Sequence, residues 1–177
     1  MPQLVETPED LYEALALARQ RNERIAFVPT MGALHEGHLA LVHAALAVGD
    51  RVVVSIFVNS LQFGEGEDYG SYPRTLEADM NALAELGADI VYAPNEAVMY
   101  PQGFSTNVQV KGITDVLEGA HRPGHFDGVA TVVAKLLNQV GPHDAFFGEK
   151  DYQQLLVIRQ MVRDLDMEVR IHGVDIV

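Results

Sequence analysis

The chain of 177 residues contains no cysteine, few basic residues (12 Lys and Arg against 25 Asp and Glu) and no long apolar run. Without cysteine there is no disulfide framework, no thiolate zinc site and no cysteine nucleophile. The absence fits a reducing cytoplasm, and cytoplasmic is the expected location. The longest apolar stretches fall far short of a membrane span, so no membrane partner is expected. The first residues show no basic segment leading into an apolar one, and no secretory signal is read there. With a net charge of −13 and no basic stripe, a nucleic-acid partner is not expected either. The acidity serves solubility. An anionic ligand would have to be held by local devices: helix N-termini, backbone amides and a few placed cations.

What is present is regular. Apolar residues make up 48% and charged residues 21%, as in ordinary globular proteins, and the length suffices for one domain with its own core. Residues 1–177 are therefore read as one domain. Thr7-Pro8-Glu9-Asp10 is a helix start, with Thr7 as cap and Pro8 in the first turn. Ile25 to Val28 reads as a buried strand, broken by Pro29-Thr30-Met31-Gly32, and a helix follows from about Gly37 to Val48. Val52 to Phe57 is a β-branched strand, Leu76 to Leu86 a helix stopped by Gly87, and Asp89 to Ala93 a strand. Thr106 to Val110 is expected as an edge strand, Val129 to Val140 as a helix capped near Asp127, and Ala145 to Phe147 as a strand. Tyr152 to Leu165 is a further helix and Val169 to Val177 a final strand. The alternation predicts an α/β fold: a doubly wound, mainly parallel sheet with helices on both faces. Ligands of such sheets sit beyond the carboxyl ends of the strands.

The segments just after the strands carry the candidate chemistry. In Met31-Gly32-Ala33-Leu34-His35-Glu36-Gly37-His38, two histidines flank Glu-Gly where strand meets helix. Gly32 and Gly37 admit close backbone approach, the helix start offers amides to a phosphate, and the imidazoles can donate to oxygens gaining charge. Capping or surface histidines, or a metal site, would use the same residues, although no third ligand lies nearby in sequence. Asn59 and Gln62 are amides that both donate and accept, as a hydroxy acid requires; they could equally face water. Arg122 and His125 precede a helix. In Gly148-Glu149-Lys150-Asp151, Lys150 is a compact cation at a strand end, and Asp151 stands where a helix cap would be.

The first of these segments resembles the HxGH signature of the nucleotidyltransferase superfamily, to which the class I aminoacyl-tRNA synthetases belong. The wider pattern is closer to one family. Val28 to His38, Val53 to Asn59, Tyr72-Pro73-Arg74-Thr75, Arg122 to Phe126 and Phe147 to Gln154 together resemble the pantothenate synthetases, over nearly the whole chain. The resemblance implies a Rossmann-like form of the sheet. It also implies ATP-dependent joining of pantoate to β-alanine through a pantoyl adenylate, with AMP and pyrophosphate released. It implies that His35, His38 and Lys150 serve the phosphates, and that residues 31–38, Gly148, Glu149, Lys150, Asp151 and Val177 bind ATP. Gln62, Gln154, Asn59, Arg122 and His125 would hold pantoate, and Gln62 would also border β-alanine. Magnesium is expected with the nucleotide, held by phosphate and water, with no protein ligand named and no organic prosthetic group. A homodimer is implied as well. Ser60-Leu61 departs from the family's usual Pro-Met. Family members are longer, with a second domain that closes over ATP, so the chain is expected to be an N-terminal domain and to turn over poorly alone. Two other readings share the HxGH segment: another nucleotidyltransferase, or a domain that binds nucleotide or pantoate without turnover.

Overall fold

A computed structural model describes residues 1–113, 122 and 124–175. In chain order the elements are β1 (Gln3–Val5), α1 (Pro8–Gln20), β2 (Ile25–Thr30), α2 (Glu36–Val48), β3 (Arg51–Ile56), a single 3-10 turn (Ser60–Gln62), α3 (Leu76–Leu86), β4 (Ile90–Tyr92), α4 (Glu96–Met99), α5 (His125–Val140), β5 (Asp144–Gly148), α6 (Tyr152–Asp164) and β6 (Arg170–Val174).

Side chains alternate across each strand, and here both sets are apolar. Ile25, Phe27, Val53, Ile90, Ala145 and Phe147 enter one core with Leu11 and Leu15 of α1, Val133 and Leu137 of α5, and Leu155 and Ile158 of α6. Ala26, Val28, Val52, Val54, Val91 and Phe146 enter the other with Leu41, Val42 and Ala45 of α2 and Leu83 of α3. Burial of both faces is what a parallel sheet demands, and every strand pair in this sheet is parallel. The strand order is β1-β4-β3-β2-β5-β6. From β2 the chain steps outward through β3 and β4, then returns to the other side of β2 with β5 and β6. The winding therefore reverses between β2 and β5, and a crevice opens beyond their carboxyl ends at Thr30 and Gly148.

Three expectations about the elements need correction. Thr106–Val110 is not a strand. Its apolar alternation packs onto α5 instead: Val110 is buried, and the Val108 amide donates to Thr131 Oγ1 at 2.9 Å. The sheet edge beside β4 is taken by β1, a strand of three residues too short to stand out in the sequence. The helix expected from Val129 begins at His125, after Gly124 turns the backbone left-handed at φ 82°. Asp127 thus lies inside the first turn, where its charge suits the helix dipole, and is not the cap. The last strand ends at Val174. The Thr7 cap is as expected, accepting the Asp10 amide at 3.1 Å. Among the described residues no helix is long and apolar enough to cross a membrane.

One close approach fixes α5 on the 3-10 turn. A Cβ at Gly128 would lie 2.3 Å from the Leu61 carbonyl oxygen and 2.7 Å from the Gln62 nitrogen. Helix and turn meet backbone to backbone, with no flexible side chain to yield. Gly128→Ala is expected to cost about 1–3 kcal/mol, as overpacking does, seen as a lower urea midpoint. An unchanged midpoint would mean the turn moves aside freely.

Candidate active site

The turn that leaves β2 is held by one carboxylate. Gly32 and Ala33 both have left-handed backbones, at φ 81° and 51°, a costly conformation for alanine. Asp79 of α3 offsets that cost. It is only 3% exposed, and its two oxygens accept the Ala33 and Leu34 amides at 3.0 Å each. The Thr75 hydroxyl donates to it at 3.2 Å. Thr30 locks the other side, donating to the Ser55 carbonyl at 2.8 Å and accepting the Gly32 amide at 3.1 Å. A side chain at Gly32 would press on Ile56 at 3.0 Å and on Asp79 at 3.1 Å.

From this turn α2 starts with His35 as its cap. The Gly37 amide donates to His35 Nδ1 at 3.0 Å, and the His35 amide donates to His38 Nδ1 at 3.2 Å. The two rings lie 4.1 Å apart between centroids. A ring nitrogen that accepts carries no proton, so each neutral ring holds its proton on Nε2. Both histidines cap the helix and still keep a donor free. Burial pushes the His38 imidazolium down from its ordinary range, the neighbouring His35 adds to this, and Asp79 and Asp151 oppose it without reversing it. The His35 side chain also receives the His38 amide, closing a reciprocal capping box, and of the first-turn amides that of Glu36 is left without an acceptor among the described residues.

Beyond the ends of β2 and β5 lies a cavity of about 200 Å³. Its apolar walls come from Leu41, Phe57, Val129, Val132, Val133, Leu136, Phe146 and Phe147, and its polar groups from His38, Asn59, Gln62, Tyr72, Asp151 and Gln154. Met31 and Gly148 line it too. A larger surface depression of about 450 Å³ lies along α6 and β6, lined by Arg159, Arg163 and Ile171 among others. It is away from the strand ends and gathers none of these groups. The Gln154 side chain, which lines the cavity, makes no hydrogen bond to a described residue. Asp151 stands at the start of α6 but does not cap it with its side chain.

The pantoate-beta-alanine ligase family profile matches residues 3–177. The chain belongs to the pantoate-beta-alanine ligase family. It is 60% identical to the pantothenate synthetase of Roseobacter denitrificans over 85% of its own length and 53% of that protein. Against that of a Shewanella species the identity is 56%, over 94% of the chain and 60% of the relative. The chain thus spans between half and two thirds of the length of these relatives. Among solved structures, pantothenate synthetase from Thermus thermophilus superposes with a TM-score of 0.94 at 56% identity, over 99% of this chain and 62% of the other. The pantoate-beta-alanine ligase of Francisella tularensis, described as complexed with beta-gamma ATP and beta-alanine, gives 0.91 at 38%, over 99% of this chain and 67% of the other.

Within this ligase-family domain, His38, Asn59, Gln62, Asp151 and Gln154 meet at one cavity. Gly32 to Gly37 form the turn and helix start beside it. Glu149 and Lys150 lie in the exposed turn between β5 and α6, and Lys150 makes no ion pair with a described residue. Arg122 is not in the lining; it donates to Glu67 at 2.6 and 3.3 Å. His125 also stands outside it, with Nδ1 2.9 Å from the Gln62 carbonyl oxygen. Val177 lies outside the described residues. Ser60, at the departure from the family's usual text, donates to Glu96 at 2.5 Å and so ties the 3-10 turn to α4. Sequence reasoning missed Asp79 and Tyr72. Asp79 looks like any acid in a first helical turn. Tyr72 stands in a family motif without an assigned role. No group of three or more His, Asp or Glu able to hold a metal occurs among the described residues.

The lowered His38 value has a testable consequence. The folded group titrates below its unfolded value of about 6.5, so the unfolded chain binds the proton more readily. The His38 contribution to stability is intact above about pH 6.5 and is lost as pH falls from there towards the folded value. NMR titration of the His38 ring should give a midpoint below 6.5, with Nε2 as the protonated nitrogen at neutral pH. A midpoint at or above 6.5 would contradict the half-buried, cap-accepting ring.

Proposed function

We propose that this domain binds pantoate in the cavity and ATP across the start of α2 and the β5–α6 turn, and that it serves the ATP-dependent formation of pantothenate. One observation carries the reading most: two glutamine amides and an apolar wall share a cavity with the His38 imidazole, and the start of α2, with His35 as its cap, stands beside it. Pantoate has matching parts, a carboxylate and two hydroxyls around a carbon bearing two methyl groups. The cavity is smaller than a drug-sized site, which suits such an acid. Family membership and the ligand names attached to the Francisella relative support the same reading.

In the reaction proposed, a pantoate carboxylate oxygen attacks the α-phosphorus of ATP and the bond to pyrophosphate breaks. The amine of β-alanine then attacks the acyl carbon, the bond to AMP breaks and the nitrogen loses a proton. The protein's part is positioning and charge stabilisation. Gln62 and Gln154 hold the acid. His35 and His38 donate from Nε2 to phosphate oxygens, their Nδ1 atoms being engaged at the start of α2. The Glu36 amide at the positive end of α2, with Lys150, adds positive potential where pyrophosphate departs. Met31, Gly32, Ala33, Leu34 and Gly37 bring backbone close to the nucleotide, and Gly148, Glu149 and Asp151 border it from β5. Arg122 and His125 belong to the pantoate side, His125 by bracing the 3-10 turn. Magnesium would arrive with the nucleotide, coordinated by phosphate and water. A homodimer is part of this reading and rests on the family alone.

His38→Ala and Lys150→Ala are each expected to slow pantoate-dependent exchange of pyrophosphate into ATP by about 10²–10³-fold, the usual cost of one such donor. Aminolysis of preformed pantoyl adenylate should suffer much less, because pyrophosphate has already left. Equal losses in both half-reactions would mean that these residues hold the fold or the adenylate rather than the leaving phosphates.

A further inference from the structure

An amide side chain can face a ligand with either end, and the two ends select opposite chemistry. For Gln62 the choice is made by a chain of hydrogen bonds that begins at a group with no choice. The Gly128 carbonyl can only accept. Asn59 Nδ2 lies 3.1 Å from it and 2.9 Å from Gln62 Oε1, so the Asn59 NH₂ donates to both. Its Oδ1 is then left to accept from the Tyr100 hydroxyl at 2.5 Å. Asn59 is 1% exposed, so bulk solvent does not readily replace a lost partner.

We infer that Tyr100, acting through Asn59, fixes Gln62 with its carbonyl inward and its NH₂ towards the cavity, making this position a donor that selects ligands with an acceptor oxygen. This rests on the reading of the cavity as a hydroxy-acid site. Tyr100 does not line the cavity; it is a positioning residue. Its own place is secured at the end of α4. The Lys135 ammonium bonds the Met99 carbonyl and lies over the Phe104 ring at 4.6 Å from its centre, while the Tyr100 ring packs on Phe57 and Phe104. Burial holds the Tyr100 hydroxyl protonated well above its ordinary range, with Glu96 adding to the effect. It therefore remains a donor throughout the working pH range. Were Tyr100 unable to donate, Asn59 Oδ1 would be buried without a partner. Asn59 could relieve this only by turning away from Gln62.

The test reads the orientation directly in the free protein. Scalar coupling across the hydrogen bond should link an Asn59 side-chain NH to the Gln62 side-chain carbonyl carbon. Tyr100→Phe should abolish this coupling while the backbone amide spectrum stays native, and should weaken pantoate binding by about tenfold, the loss expected for a buried polar partner. Asn59→Asp supplies a group that only accepts; Gln62 should then reverse, with its own NH₂ coupled to the new carboxylate. That variant decides the matter if Tyr100→Phe does not fold. A reversed coupling in the unsubstituted protein, a coupling unaffected by Tyr100→Phe, or an unreversed Gln62 in Asn59→Asp would overturn the inference. If the couplings behave as expected but the unsubstituted protein takes up no pantoate, the hydroxy-acid reading fails and the orientation device stands.

Discussion

The site depends first on a buried carboxylate accepting two backbone amides. Asp79 lies on α3, yet its bonds to Ala33 and Leu34 determine the path of the chain after β2. Left-handed alanine costs of the order of 1–3 kcal/mol, and a hydrogen bond to a charged group contributes about 1.5–3 kcal/mol. Two such bonds outweigh the strain. The turn then delivers His35 to the cap position of α2 and His38 one turn further, so the carboxylate controls where both rings stand without itself lining the cavity.

The opposite wall is organised by contact rather than charge. α5 meets the 3-10 turn through the bare backbone of Gly128; His125 and Asn59 both bond Gln62, and the Gly128 carbonyl accepts from Asn59. Both assemblies flank β2, where the winding reverses, and with both sheet faces buried the strand ends are the place left open for a ligand. On the proposed function, a chain with net charge −13 would receive its anionic ligands by local means. The attraction would come from a helix start, two Nε2 donors and Lys150, and would need no basic surface.

Much of this was legible in the sequence because the signals are contiguous. β-Branched runs marked β3, Thr7-Pro8 marked α1, Gly87 ended α3, and the His35 to His38 segment stood out at a strand–helix junction. What escaped was non-local or short. Nothing near Asp79 announces that it serves a turn 46 residues earlier, and nothing near Tyr100 announces its bond to Asn59. β1 has three residues, fewer than any periodicity needs. The alternation in Thr106–Val110 was real, but it reports a segment with one buried side lying on a helix, which a short pattern cannot distinguish from a strand. Asn59 was read as a direct ligand contact; it lines the cavity, but its side-chain nitrogen and oxygen are both engaged within the protein, a pairing no local sequence pattern announces.

The central claim is that the cavity between β2 and β5 is the acid site. Methyl-labelled NMR titration of the protein with pantoate tests it most directly. The account predicts saturable shifts of the Val129, Val132, Val133 and Leu136 methyls together with the Gln62 and Gln154 side-chain amides, and none at Ile171 beside the larger depression. Shifts confined to the α6–β6 depression, or binding that leaves those methyls unmoved, would contradict it.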